Sequence, residues 1–314
     1  MLNLNNKNLY LASPRGFCAG VERAIKIVER ALELHNNKVY VKHEIVHNTH
    51  VVSRLKESGA IFVNQIKDVP ENENVIFSAH GVSKEVQIEA KNRKLKILDA
   101  TCPLVTKVHL EAIKLYKKGF HIILIGHEGH PEIEGTKGQV PDENITLIQT
   151  LSDAKNFIPL SNMPLAWISQ TTLSVDDTAN IVSALKKRFP NILSPNKDDI
   201  CYATSNRQMA VKDIAPLVEL MIIVGSQNSS NSKRLVEVSQ KAGCKDSDLI
   251  ENVNFLNWSK IERVKNIGLS SGASAPEVLI NEIKNELNKR YKINEINNYK
   301  IKEDVYFKLP NGIE

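Results

Sequence analysis

The 314-residue chain has no apolar run approaching the ~20 residues that a bilayer-spanning helix requires. Its longest, "FHIILIG" and "LMIIVG", have the length of buried strands. It has no basic run interleaved with aromatics, and its formal net charge is only +5, so nucleic acid is not an expected partner. It has no CxxC pair, which excludes the common zinc-ribbon and ferredoxin spacings. The opening "MLNLNNKNLYLAS" lacks the cationic start and apolar core of an export signal. The expected location is therefore the cytoplasm, with a plastid-type organelle left open, and the cysteines are expected to be reduced thiols.

What is present is a globular composition, 42% hydrophobic, with strand and helix patterns in alternation. "NLYLASPRGFCAGVERAIKIVERALEL" reads as strand, turn and helix, with Val21, Ala24, Ile25, Val28 and Leu32 at helical spacing. "LKILDATCPLVTKVHLEAIKLYKKG" repeats the plan and stops at Gly119, a suitable helix end. "KDDICYATSNRQMAVKDIAPLVEL" puts Cys201 ahead of a third helix. Ser174-x-x-Asp177 and Ser274-x-x-Glu277 have the form of capping boxes. The expected fold is α/β, three similar units with parallel sheets: residues 1–100, 101–195 and 196–290. A tail, 291–314, packs back on the body through a short alternating strand in "NNYKIKEDVYFKLPNGIE". In such sheets ligands bind beyond the carboxyl ends of the strands, where most of the His, Cys, Ser, Thr and Asn clusters fall.

His43-Glu44-x-x-His47 matches the spacing of a zinc protease helix. The residues before it are β-branched, and helical periodicity begins only after Asn48. On extended backbone two positions four apart lie roughly 13 Å apart, too far to share one zinc. His43 is read as structural, and His47 remains a candidate for a binding site.

Cys18, Cys102 and Cys201 recur at near-even intervals, each about the length of a small α/β unit. Each stands where a helix start lowers a thiol pKa. Three thiolates meeting at one point would suit a zinc ion completed by a His. They would equally suit an iron–sulfur cube with one iron left open as a Lewis acid, and spacing does not separate the two. Cys244, in "KAGCKD", is read as structural.

Nine segments together narrow the choice: "PRGFCAGVERAI", "EIVHN", "SAHGVS", "DATCPLVTKVH", "GHEGHPEIEGT", "QTTLSVDDT", "DDICYATSNRQ", "VGSQNSSNSKRL" and "SGASAPEVL". In order, from Pro14 to about Leu279, they closely resemble the LytB family of 4-hydroxy-3-methylbut-2-enyl diphosphate reductases, which act last in the methylerythritol phosphate isoprenoid pathway. The resemblance implies three lobes around a central [4Fe-4S] cluster held by Cys18, Cys102 and Cys201. It implies a diphosphate pocket of His47, His80, Ser229, Ser230, Asn231 and Ser274. It also implies two-electron removal of an allylic hydroxyl to give isopentenyl and dimethylallyl diphosphate. Glu132 is then the proton source for the departing oxygen, Thr171 its orienting partner and His130 a neighbour that tunes charge or places the substrate. Thr172 and His127 are weaker candidates. The electron donor would be ferredoxin or flavodoxin. Two rival readings remain: a zinc hydrolase of a phosphorylated small molecule using one or two Cys with His130 and Glu132, and a non-enzymatic iron–sulfur diphosphate sensor.

Overall fold

The computed structural model describes residues 5–159, 162–310 and 313. Among them the strands form three sheets, and all their pairings are parallel. The chain divides into two compact units: Met1–Ala19 with His47–Ser53 and Tyr202–Tyr306, and Gly20–Val46 with Arg54–Cys201 and Phe307–Glu314.

The first unit holds a five-stranded sheet in the order Asp246–Ile250, Leu220–Val224, Asn266–Ser271, Asn6–Ser13, Lys292–Tyr299. Its inner strand Leu220–Val224 is apolar throughout because both faces are covered. Leu220, Ile222 and Val224 pack with Leu279, Ile280, Ile283 and Leu287 of the helix Glu277–Arg290. Met221 and Ile223 face the other way, onto Val211 and Ile214 of the helix Tyr202–Ile214 and Leu235 and Val238 of the helix Ser230–Lys241.

The second unit carries two sheets. One runs Ala60–Val63, Val39–Lys42, Asn74–Phe77, Lys96–Asp99, and the other Ile145–Ile148, His121–Ile125, Leu165–Ser169. The period-two rule holds again in the run His121–Ile125. Ile122 and Leu124 pack on Val108, Ala112 and Leu115 of the helix Pro103–Lys117, and Ile123 and Ile125 on Ile181 and Leu185 of the helix Val175–Arg188.

Three details differ from the sequence pattern. The strand Asn6–Ser13 joins the sheet of the C-terminal strands, pairing with Asn266–Ser271 and Lys292–Tyr299, and not the sheet of residues 39–99. Periodicity shows that a strand forms, but its neighbours are chosen by apolar surface far along the chain. The strand near the C-terminus is Lys292–Tyr299, and residues 300–310 have no regular structure. Pairing with Asn6–Ser13 fixes where it lies. Residues 311, 312 and 314 of the expected tail lie outside the described residues. Finally, Ser274 does not cap its helix. Pro276 holds the N-cap position of Glu277–Arg290 without a side-chain bond, so Ser274 lies ahead of the cap, and its Oγ donates to the carbonyl of His47 at 2.9 Å. In the other, Ser174 holds the N-cap and accepts from Asp177 N–H.

The motif at His43 runs off the strand Val39–Lys42 into a loop, and the next helix starts at Thr49. After Asn74–Phe77 the chain turns through Ser78–Gly81. Gly81 has φ +76°, and a Cβ there would lie 2.6 Å from His109 Cε1 on the helix Pro103–Lys117. Burial holds the His109 imidazole down at a pKa of about 4, against the pull of Asp99, so the ring is a neutral wedge at pH 7. Gly81→Ala is expected to lower stability by about 1–3 kcal/mol through left-handed strain plus this overlap. The check is Tm, and adding His109→Ala is expected to recover part of the loss.

Candidate functional site

In the first unit the chain leaves Asn6–Ser13, turns through Gly16–Cys18 and enters the helix Ala19–Leu34. Gly16, at φ +74°, donates to Ser271 Oγ at 2.8 Å. Cys18 N–H donates to the carbonyl of Ala273 at 3.2 Å, and Ala19 N–H to Tyr202 Oη at 3.2 Å. Burial, and after it the neighbouring Cys18, push the Tyr202 phenol well above its usual range, so it stays protonated beside the thiol. Cys18 itself is half-buried. Cys244, by contrast, is buried, and its thiol donates to the Asp246 carbonyl at 3.2 Å.

The same unit gathers most of the expected diphosphate residues. Ser274 Oγ holds the His47 carbonyl, and Asn228 Nδ2 lies 3.4 Å from His47 Nδ1. Ser229 caps the helix Ser230–Lys241, accepting from Ser232 N–H at 3.3 Å and Ser232 Oγ at 3.0 Å. Ser230 is half-exposed in the first turn. Asn231 is buried, yet among the described residues neither its Nδ2 nor its Oδ1 has a hydrogen-bond partner. A buried amide costs free energy unless it is bonded, so this one points to a polar ligand.

The second unit gathers the rest. Cys102 stands at the N-cap of Pro103–Lys117, and its N–H donates to the Ala79 carbonyl at 3.0 Å. That ties it to the turn carrying His80. The His80 and His130 rings meet edge to face, with centroids 5.7 Å apart. His130 caps the helix Pro131–Lys137, its Nδ1 accepting from Glu132 N–H at 3.1 Å. The buried Glu132 carboxylate accepts from Thr171 N–H at 2.7 Å and from Thr171 Oγ1 at 3.0 Å. Cys201 N–H in turn donates to the Thr171 carbonyl at 3.0 Å. Gln170 joins the weaker candidates, accepting from His127 N–H at 3.1 Å and donating to Thr172 Oγ1 at 2.9 Å.

Burial raises the Glu132 pKa to about 7; the two Thr171 bonds oppose the rise, and Asp199 adds to it. Asp199 is a residue that the sequence reading missed. Its buried carboxylate accepts from Ser169 N–H at 3.0 Å and pairs with Lys107 at 3.2 Å, while Lys107 Nζ also donates to the carbonyls of Lys197 and Asp198, both at 2.9 Å. This clasp fixes the segment that leads into Cys201. A charge two residues before a cysteine was the available signal, but its partner is remote in sequence.

Among the described residues no three His, Cys, Asp or Glu side chains are grouped to hold a single metal ion. No described helix is long and apolar enough to cross a membrane.

The chain matches the family model for LytB protein over residues 9–288. It is 52% identical to the 4-hydroxy-3-methylbut-2-enyl diphosphate reductase of Phenylobacterium zucineum, covering 96% of each chain. It is 51% identical to 4-hydroxy-3-methylbut-2-enyl diphosphate reductase 1 of Bradyrhizobium diazoefficiens, covering 97% of this chain and 95% of that one. Among solved structures, the E-1-hydroxy-2-methyl-but-2-enyl-4-diphosphate reductase from Plasmodium falciparum superposes with a TM-score of 0.93 at 40% identity, over 98% of this chain and 97% of that one.

A carboxyl whose pKa is raised by folding keeps a proton that the unfolded chain has released. Stability owed to that proton is present at low pH, falls as pH climbs from the ordinary carboxylate value to about 7, and is level above it. In metal-free protein, Glu132→Gln is expected to flatten the decline in urea-unfolding free energy between about pH 4.5 and pH 7. The flattening should be on the order of 3 kcal/mol at most, from a rise of about that span.

Proposed function

Because the chain belongs to the LytB protein family, we propose that it is a 4-hydroxy-3-methylbut-2-enyl diphosphate reductase, the enzyme that ends the non-mevalonate route to isoprenoids. The observation that carries the chemistry is the buried Glu132 carboxyl, held by both donors of Thr171 and shifted to a pKa of about 7.

The reaction adds two electrons and two protons to an allylic alcohol. One C–O bond breaks, one C–H bond forms at either end of the allyl unit, and water leaves. Hydroxide departs poorly from carbon, so the step needs an acid at the oxygen. Glu132, half-protonated near neutral pH, is that acid. Thr171 holds the carboxyl in one orientation and presents its own hydroxyl beside the departing oxygen. His130 fixes the backbone of Glu132 through its Nδ1 and sets its ring against His80. Asn231, Ser229, Ser230, Ser274 and His47 bind the diphosphate, joined by His80. The Asn231 amide and the N-terminus of the helix Ser230–Lys241 offer donors suited to a multiply charged anion.

Cys18, Cys102 and Cys201 are the residues that hold the [4Fe-4S] cluster. Their chemistry suits it: each is half-exposed, and each stands at the start of a helix, of 16, 15 and 13 residues respectively, where the helix end favours thiolate. A cluster bound there supplies the electrons, one at a time, and Lewis acidity at the iron that lacks a thiolate. A reduced ferredoxin or flavodoxin delivers the electrons, and the mildly basic chain suits an acidic partner of that kind. The enzyme works in the cytoplasm. No observation favours the zinc hydrolase, and the buried acid has no task in a sensor.

Protein purified without oxygen is expected to be brown, with about four irons per chain, and to dehydroxylate the allylic diphosphate when given a reduced viologen dye. A colourless zinc protein, or an iron protein with no turnover, would sink the reading. Glu132→Gln is expected to keep cluster and substrate binding and lose most turnover, ~10²-fold or more for a lost general acid. Cys102→Ser is expected to lose the four-iron absorbance and its EPR signal.

A further inference from the structure

The family match ends at residue 288, yet Glu303, beyond it, is linked through Arg207 to the turn that carries Cys18. Arg207, on the helix Tyr202–Ile214, is fully buried at 0% exposure. Its Nε and Nη2 donate to the Gly16 carbonyl at 3.2 and 2.8 Å, and Nη2 also reaches the Phe17 carbonyl at 3.4 Å. These are the two residues before Cys18. The charge of Arg207 is answered by Glu303, which accepts from Nη1 at 2.9 Å and from Nη2 at 3.3 Å. Asn206 Nδ2 also donates to Glu303 Oε1, at 3.1 Å. Glu303 lies in the segment 300–310, which has no regular structure of its own.

A guanidinium cannot shed its proton in a protein, so a buried Arg stays in place only while its charge is paired. The backbone carbonyls of Gly16 and Phe17 orient the guanidinium but carry no formal charge. Glu303 is therefore the group that lets Arg207 remain buried, and Arg207 is what fixes the carbonyl side of the Cys18 turn. The amide side is fixed separately, by Ser271 Oγ and the Ala273 carbonyl. Without Glu303 the guanidinium turns toward water, and the turn keeps only half its restraints.

We infer that Glu303 is a positioning residue for the cluster: through Arg207 it locks the Gly16–Cys18 turn, so that the C-terminal segment governs how firmly Cys18 is presented as a ligand. The inference rests on Cys18 being a cluster ligand.

The test compares the anaerobic holoprotein as wild type, Glu303→Ala, Glu303→Gln and, as a control, Glu295→Ala. The control breaks the partly buried Lys284–Glu295 pair of the same unit. Three quantities are read: the rate of iron loss to a ferrous chelator, the EPR spectrum of the dithionite-reduced protein, and hydrogen exchange at the Gly16 and Cys18 amides in iron-free protein. Glu303→Ala is expected to lose iron at least tenfold faster, with a shifted EPR signal and exchange at both amides at least tenfold faster. Glu303→Gln, which keeps an acceptor but not the charge, is expected to fall between Glu303→Ala and wild type, and Glu295→Ala to match wild type. Iron loss and exchange in Glu303→Ala equal to wild type, or no greater than in Glu295→Ala, would overturn the inference. If Glu303→Ala does not fold, a Glu303→Gln indistinguishable from wild type in all three readings overturns it as well. A wild type that takes up no cluster would refute the proposed function instead. The amide exchange of iron-free Glu303→Ala would then decide the lock alone, unchanged exchange overturning it.

Discussion

A parallel strand has to be left at its carboxyl end by a turn that delivers the chain to a covering helix. That constraint decides where this protein can do chemistry. In the five-stranded sheet the turns after Asn6–Ser13, Leu220–Val224 and Asn266–Ser271 carry Cys18, Ser229 to Asn231, and Ser274. In the three-stranded sheet the turns after His121–Ile125 and Leu165–Ser169 carry His130 with Glu132, and Thr171. In the four-stranded sheet those after Asn74–Phe77 and Lys96–Asp99 carry His80 and Cys102. Within each sheet these side chains share the carboxyl end, where ligands of such sheets bind, and the helices that cover the faces supply N-termini at the same places.

Turns alone would be too loose for a reaction that needs groups set to a fraction of an ångström. Two of the cysteine turns are fastened by buried charge. Lys107 and Asp199 hold the approach to Cys201, and Arg207, answered by Glu303, holds the approach to Cys18. In each, a cation grips backbone carbonyls while a carboxylate balances it. Such pairs add little net stability. Their effect is geometric, because a buried charge tolerates few alternative positions. Glu132 is the converse case. Among the described residues no cation pairs with it; burial raises its pKa to about 7, and Thr171 orients it.

Much of this could be read from the chain before its structure. The strand–turn–helix rhythm, the loop character of the HEIVH segment and the helix starts after all three cysteines follow from local periodicity, and local periodicity does not depend on the rest of the fold. Ser274 shows the limit. Its spacing to Glu277 fits a capping box, but the helix starts only after Pro276, and the Ser274 hydroxyl donates to a tertiary acceptor, the His47 carbonyl. The edge position of Lys292–Tyr299 and the roles of Asp199, Arg207 and Glu303 were illegible for a related reason: each depends on a partner supplied by a distant part of the chain. Arg207 did leave a trace, a charged residue on the helix face that also carries Ala203, Ala210, Val211 and Ile214. An arginine on such a face requires a counter-charge somewhere, but the sequence does not say where.

Asn231 has a consequence for selectivity. Its amide is buried, and among the described residues neither its Nδ2 nor its Oδ1 has a hydrogen-bond partner. A ligand that brings an acceptor to it meets a buried N–H donor, and a buried donor costs free energy while unbonded. A ligand of the same charge that cannot reach it leaves that deficit standing. Discrimination between two anions of equal charge can therefore arise from one neutral side chain.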